Sequence, residues 1–147
     1  MLATSPDRPV SIELWTVQHA WLASQSSEIP VMLVAVSPPF IHATESLFKH
    51  YEDMSLVAVV NNGEQAIIQA DRLKPVVILV DLEMPGQMGL KIVSCLYRSG
   101  LNIPIIALSQ LIFRSYCRAI LTAGANEIIA KLKLTTELEP AIRRMLK

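Results

Sequence analysis

The sequence predicts an α/β domain built on a doubly wound, five-stranded parallel sheet, with an extra helix at the N-terminus. From residue 30 onward, short unbroken apolar runs alternate with amphipathic segments of helical period. The clearest run, Val76 to Val80, ends abruptly at Asp81 and is followed by the turn residues Pro85 and Gly86. A run without polar alternation is typical of a parallel strand that is covered on both faces. Short crossovers between such runs indicate the doubly wound arrangement.

Length and charge limit the classes of function. A chain of 147 residues is the size of one domain. Its 13 basic and 13 acidic side chains cancel, so the charge balance does not predict direct binding to nucleic acid or to an anionic membrane. No apolar run reaches the ~18 residues that a membrane span needs, and the N-terminus does not resemble a secretory signal. We therefore expect a cytoplasmic protein.

Residues 1–29 are predicted to form a helical extension and a linker, and residues 30–147 the α/β domain. Val10, Leu14, Val17 and Trp21 recur at helical spacing and form one apolar stripe. The competing interpretation is a strand, because apolar residues occupy alternate positions from Val10 to Leu14. A helix with such a stripe has to cover its own domain, a partner or a second copy of the chain, so a homodimer is one expectation.

The strands and helices of the domain are predicted in strict alternation. Polar and Gly or Pro residues separate the segments and set their approximate ends. The last helix is predicted to start with a capping box at Thr136–Glu139, with Pro140 at the edge of its first turn. The predicted strands are 31–36, 55–60, 76–81, 104–108 and 127–130, and the earlier helices are 41–51, 64–73, 88–98 and 111–123.

Three polar residues stand at the ends of the third, fourth and fifth predicted strands: Asp81, Ser109 and Lys131. The carboxyl ends of neighbouring parallel strands meet at one edge of the sheet, where open α/β folds bind ligands. A carboxylate there can act as a nucleophile toward a phosphoryl group. A hydroxyl and an ammonium can bind the transferred oxygens. Taken singly, each residue also fits a plain turn: a loop cap, a helix N-cap and a solvated charge.

The cysteines and histidines do not predict a metal site. Cys95 and Cys117 fall in predicted helices, far from any CxxC or Cys/His spacing, and are expected to be buried thiols. The three histidines are scattered along the chain at positions 19, 42 and 50, without ligand spacing.

From Val31 to Lys147 the chain resembles the receiver domain of bacterial two-component response regulators, which has a flavodoxin-like fold. The pattern is most similar to receivers of the LuxR/NarL type. Three segments carry the resemblance: the loop from Asp81 to Leu90, the strand from Ile103 to Ser109, and the strand from Ala123 to Lys131. The resemblance implies that Asp81 accepts phosphate from a histidine kinase or phosphotransfer protein. It also implies that Ser109 and Lys131 stabilise the phosphoryl group and that Mg²⁺ holds its oxygens.

The chain departs from the family pattern at three positions. Ala35 and Val36 stand where the family has two acidic residues that bind Mg²⁺. Asp81 is then the one obvious metal anchor, with the backbone carbonyl of Glu83 as a second ligand by resemblance, so Mg²⁺ binding is expected to be weak. The side chain of Glu83 is a further candidate to reach the site, although the resemblance implies that it points elsewhere. Ile128 replaces the family's aromatic switch residue, which puts the usual coupling of Ser109 to the face formed by helix 4, strand 5 and helix 5 in doubt.

Two functions remain open at this point, and neither is an enzyme. The chain is a phospho-accepting signalling domain, or it is a pseudo-receiver that binds partners or dimerises without phosphorylation. Ala35 and Val36 favour the second, whereas the intact Asp81, Ser109 and Lys131 favour the first. A flavodoxin-like small-molecule binder is disfavoured because Ser37–Pro38–Pro39 stands where a Gly-rich phosphate loop would be. No output domain follows the last helix, so a stand-alone receiver and a piece of a longer protein are both compatible with the sequence.

Overall fold

The computed structural model describes residues 28–146, which form a five-stranded parallel sheet with helices on both faces. The strand order is β2-β1-β3-β4-β5, so the predicted doubly wound fold is confirmed. The predicted N-terminal helix lies outside the described residues. The strands are β1 (Ile29–Val34), β2 (Met54–Val60), β3 (Val77–Asp81), β4 (Ile105–Ser109) and β5 (Glu127–Ala130). The helices are α1 (Pro38–Phe48), α2 (Gly63–Leu73), α3 (Met88–Arg98), α4 (Arg114–Ala123) and α5 (Leu134–Met145).

Two hydrophobic clusters cover the two faces of the sheet. One joins the sheet to α2, α3 and α4, and the other joins it to α1 and α5. All five residues of β3 are buried, as its unbroken apolar sequence predicts for the central strand. The site at the end of β3 therefore stands on a fully buried strand.

Strand register brings the predicted site positions to one edge of the sheet. Val34 of β1 lies opposite Val80, and Asp81 lies opposite Leu108. Ser109 in turn lies opposite Ala130. Because all the pairs are parallel, the residues that end or follow β1, β3, β4 and β5 share the carboxyl edge. β1 begins and ends two residues earlier than predicted, so Ile29, placed in the linker from sequence, belongs to the strand.

α4 starts at Arg114 rather than at Leu111. The hydroxyl of Ser109 contacts both backbone groups of Leu111, accepting from its N–H at 3.0 Å and facing its carbonyl at 3.0 Å. Phe113 is extended, with φ −94° and ψ 154°. This local bonding competes with helix formation, so residues 111–113 form an exposed loop beside the sheet edge.

The predicted start of α5 is also wrong. The helix begins at Leu134, directly after a short 3₁₀ turn over Lys131–Lys133. Thr136 does not cap it, because its hydroxyl donates back to the carbonyl of Lys133 at 3.2 Å. Burial of Leu134 against the sheet sets the start instead, and Pro140 consequently lies inside the helix. Its missing N–H leaves one helical hydrogen bond unformed, at an exposed position.

Neither of the two cysteines is buried. Cys95 is exposed and Cys117 is partly exposed, so the prediction of buried thiols was wrong. Both lie on helices, and their side chains point away from the apolar stripe that packs on the sheet.

None of the helices between residues 28 and 146 is long and apolar enough to span a membrane.

Candidate functional site

Asp81 is the centre of the site. As the last residue of β3 it is fully buried, with a side chain that is 1% exposed. Its Oδ1 accepts a hydrogen bond from the Glu83 N–H at 2.9 Å and lies 2.7 Å from the Lys131 ammonium. Its Oδ2 is buried and has no hydrogen-bond partner among the described residues. One oxygen is thus held in place, and the other keeps free lone pairs.

Lys131 supplies the positive charge. It follows β5 directly, and its Nζ reaches both Asp81 Oδ1 and Glu83 Oε1 at 2.7 Å. The ammonium also lies over the ring of Phe40 in α1, 4.2 Å from the ring centroid, a favourable cation–π distance. With a side chain that is 14% exposed, the charge is shielded from water and acts strongly on its neighbours.

Ser109 brings the hydroxyl to the same edge. It is the last residue of β4 and is fully buried. Its Oγ faces Glu83 Oε2 at 3.3 Å and the Leu111 carbonyl at 3.0 Å. The structure therefore brings the three predicted residues together, as their strand-end positions indicated.

Glu83 is the residue for which the expectation was wrong. Its side chain turns into the site, where Oε1 lies 2.7 Å from Lys131 Nζ and accepts from the Gln110 N–H at 3.1 Å. Its Oε2 faces the Ser109 hydroxyl. The sequence offered one signal for this placement: without acids at positions 35 and 36, Lys131 has room and charge for a second carboxylate. The Gln110 backbone amide was also missed, because side-chain patterns do not report backbone donors.

The two positions predicted to replace the family's acid pair carry no metal ligand. Ala35 is fully buried, and its N–H bonds to the Val60 carbonyl at 3.0 Å. Val36 is 39% exposed at the rim of the site. Among residues 28–146 no three His, Cys, Asp or Glu side chains are grouped closely enough to hold a metal ion. Mg²⁺ requires octahedral oxygen ligands. The two carboxylates present here both face Lys131, so the side chains do not fit that ion.

Comparison with known proteins agrees with this geometry. Residues 31–143 match the family described as the response regulator receiver domain. The chain belongs to this family. The resemblance seen in the sequence is thereby confirmed, and the protein is a receiver domain of the kind found in two-component response regulators.

Two curated relatives are regulators. An uncharacterised transcriptional regulatory protein, YvfU of Bacillus subtilis strain 168, is 31% identical over 105 residues, covering 71% of this chain and 52% of the relative. The nitrate/nitrite response regulator protein NarP of Escherichia coli K12 is 32% identical over 107 residues, covering 73% of this chain and 50% of the relative. The chain thus spans about half the length of these relatives.

Two solved structures share the fold. A LuxR-family response regulator from Aurantimonas sp. SI85-9A1 superposes with a TM-score of 0.73 at 20% identity, covering 81% of this chain and 85% of the other. The receiver domain of a sensor histidine kinase from Pseudomonas aeruginosa PAO1 gives 0.70 at 25% identity, covering 81% and 98%. In the latter structure a magnesium ion is coordinated in the active site cleft.

The loop after β3 holds the receiver site by a close backbone approach. A Cβ added at Gly89 in α3 would lie 2.6 Å from the Asp81 carbonyl oxygen and 2.7 Å from the Leu82 Cα. Gly86 and Gln87 both have positive φ, at 64° and 57°, as the chain turns into the helix. Glycine at position 89 therefore lets α3 press directly against the end of β3.

Ile128, which is predicted to stand at the family's switch position, packs against the cluster that includes α2, α3 and α4. Besides Phe40, a second aromatic residue beside the site is Tyr116 of α4, which stacks on Phe113 with ring centroids 5.5 Å apart. Burial, and next the negative charge of Glu83, raise the pKa of the Tyr116 phenol above its ordinary value of 10.0. Tyr116 could not be predicted from the resemblance, because the family pattern places its aromatic switch residue on β5.

Proposed function

We propose that this receiver accepts a phosphoryl group on Asp81 from the phosphohistidine of a histidine kinase or phosphotransfer protein. One observation carries the proposal: the Lys131 ammonium lies 2.7 Å from Asp81 Oδ1, with the Ser109 hydroxyl at the end of the neighbouring strand. The partly free carboxylate is the nucleophile, and the two donors suit the oxygens of a transferred phosphoryl group.

The transfer balances without any further reactant. Asp81 Oδ2, the oxygen without a described partner, attacks phosphorus as the phosphorus–nitrogen bond of the protonated phosphohistidine breaks. Neutral imidazole leaves, and Asp81 becomes an acyl phosphate. Lys131 and Ser109 bind phosphoryl oxygens through an ammonium and a hydroxyl. Their preorganised charge and geometry are the main protein contribution in reactions of this kind.

Magnesium has a reduced part in this proposal. In the family the ion neutralises the phosphoryl oxygens, but Ala35 and Val36 cannot ligate it. Asp81 and, by resemblance, the backbone carbonyl of Glu83 remain as weak contacts. We therefore assign no step to Mg²⁺ and expect slow transfer, since metal and positioning supply much of this catalysis.

The second candidate is a pseudo-receiver that signals in the cytoplasm through partner or homodimer contacts alone. The observation that favours it is the absence of acid side chains at Ala35 and Val36. Under both candidates the domain works by protein–protein contact, and the predicted N-terminal extension takes part in it; the extension comprises residues 1–28, because Ile29 belongs to β1.

Labelling by acetyl phosphate distinguishes the two candidates. We expect the full chain to gain one phosphoryl mass, which maps to Asp81, and Asp81→Asn to gain none. Glu137→Gln, at an exposed position on α5, serves as the control and should label like the parent. A folded parent that takes up no phosphoryl group, with or without Mg²⁺, would reject phospho-acceptance in favour of the pseudo-receiver.

A further inference from the structure

The carboxylate of Glu83 faces three donor groups from two other segments of the chain. They are the Lys131 ammonium at 2.7 Å, the Gln110 N–H at 3.1 Å and the Ser109 hydroxyl at 3.3 Å. We call these three donors the anion pocket. Both carboxylate oxygens are used, which is a more complete set of partners than an incidental surface contact provides.

The anion pocket includes the groups that the proposed function assigns to the phosphoryl oxygens, and the inference rests on that function. An acyl phosphate on Asp81 needs the Lys131 ammonium and the Ser109 hydroxyl for itself. The pocket already holds two carboxylates against one ammonium, so a dianionic phosphoryl group would meet uncompensated negative charge in a shielded setting. Glu83 and a phosphoryl group therefore compete for one place.

We propose that Glu83 is a built-in stand-in for the phosphoryl group, which occupies the anion pocket until an incoming anion displaces it. While bound, it holds Ser109 and Gln110, and with them the start of the loop over residues 111–113, in the arrangement of an anion-bound receiver. The Glu83 side chain is 30% exposed, so it has a direct path to solvent. Its backbone stays anchored through the N–H bond to Asp81, so rotation of the side chain alone empties the pocket.

The replaced acid pair explains why a glutamate can lie here. Two acids at positions 35 and 36 would add negative charge at the edge where Asp81 and Glu83 already share one lysine. With Ala35 and Val36 in those places, the second carboxylate is Glu83 itself. The replacement of the metal ligands by Ala35 and Val36 thus accompanies the occupation of the anion pocket by Glu83.

The experiment compares the full chain with Glu83→Ala, Glu83→Gln and the control Glu137→Ala. Sulfate, a dianion at neutral pH, is titrated while the amide resonances of Ser109 and Gln110 are followed by NMR. Asp81 labelling by acetyl phosphate is measured separately by intact mass. We expect Glu83→Ala to bind sulfate at least about tenfold more tightly and to label at least about tenfold faster than the parent, because a competing charge is gone. Glu137→Ala should match the parent in both.

The outcomes separate the two proposals. Equal sulfate affinity of the parent and Glu83→Ala overturns the proposal that Glu83 occupies the anion pocket, even if labelling accelerates. If Glu83→Ala binds sulfate more tightly than the parent but no variant is labelled, the result supports the role of Glu83 in the anion pocket and rejects phospho-acceptance. Glu83→Gln keeps the shape of the side chain without its charge, so it gives the same comparison if the alanine variant does not fold. Its sulfate affinity should fall between those of the parent and Glu83→Ala.

Discussion

Glu83 Oε1 lies 2.7 Å from the Lys131 ammonium, the same distance at which Asp81 Oδ1 lies from it. One cation therefore serves two carboxylates from the same loop. Lys131 is the partner that both carboxylates share, because its removal would leave two negative charges side by side without a counter-charge. Contacts within the chain itself therefore hold both carboxylates against one ammonium.

The missing acid pair predicts that metal affinity can be restored. Ala35→Asp combined with Val36→Asp should raise Mg²⁺ affinity at least about tenfold, because two carboxylates then join Asp81 at the carboxyl edge. Isothermal titration with Mg²⁺ measures the change. His42→Asp combined with Ala43→Asp adds acids at two exposed positions of α1 and should leave the affinity nearly unchanged. A titration of the first variant that matches the parent would contradict the alignment of the β1 end with the acid pair.

The contact at Gly89 predicts a large difference between two similar substitutions. Gly89→Ala should lower the free energy of unfolding by about 1–3 kcal/mol, since the new Cβ meets rigid backbone at 2.6 Å. In Gly63→Ala, the matched control at the start of α2, the Cβ meets only Ile92 Cγ1 at 3.6 Å, an ordinary contact. That variant should be neutral or slightly more stable. Urea unfolding of both variants gives the comparison, and equal stabilities would show that α3 moves freely against β3.

The charge of Glu83 predicts a titration shift at Tyr116. The nearby carboxylate disfavours the phenolate and so raises its pKa, although burial is the larger cause. Glu83→Gln should therefore lower the pKa of Tyr116 while leaving it above 10.0, because burial remains. NMR of carbon-labelled tyrosine follows each ring separately. Tyr51, whose pKa is raised by burial and by Glu139, is the internal control and should not move. An unchanged Tyr116 would place the Glu83 charge elsewhere in solution.

The apolar stripe of residues 1–29 predicts an effect on assembly. Removal of residues 1–27 should change the sedimentation coefficient beyond the change in mass, or lower solubility, because Trp21 on the stripe and Trp15 beside it need an apolar partner. Trp15→Ala combined with Trp21→Ala in the full chain tests the stripe without shortening the chain. If all three proteins sediment as the same species after correction for mass, the extension has no part in self-association.

The sequence predicted the elements that follow from hydrophobic period and strand ends. β3 was evident because five apolar residues in a row admit few other interpretations, and the meeting of Asp81, Ser109 and Lys131 follows from the parallel topology. The direction of the Glu83 side chain could not be predicted in this way. It depends on donors that fold into place from β4 and β5, one of them a backbone amide.

The errors in helix starts have a related cause. The predicted start of α4 was Leu111, but hydrogen bonds of Ser109 hold the segment from Leu111 to Phe113 outside the helix. The capping-box pattern at Thr136 was overridden by the burial of Leu134, since tertiary packing outweighs a local cap. In both cases a contact distant in sequence, or a buried polar group, decided the local structure.

The Ser109 hydroxyl has a single proton to donate. Two acceptors stand within reach, Glu83 Oε2 at 3.3 Å and the Leu111 carbonyl at 3.0 Å, yet a hydroxyl donates to only one at a time. When the proton points to Glu83, the loop is tied to Ser109 by the Leu111 N–H alone; when it points back, the loop is tied twice. Rotation of one O–H bond thus switches the loop between one and two hydrogen bonds to Ser109. The anion that lies in the anion pocket therefore determines how firmly residues 111–113 are held.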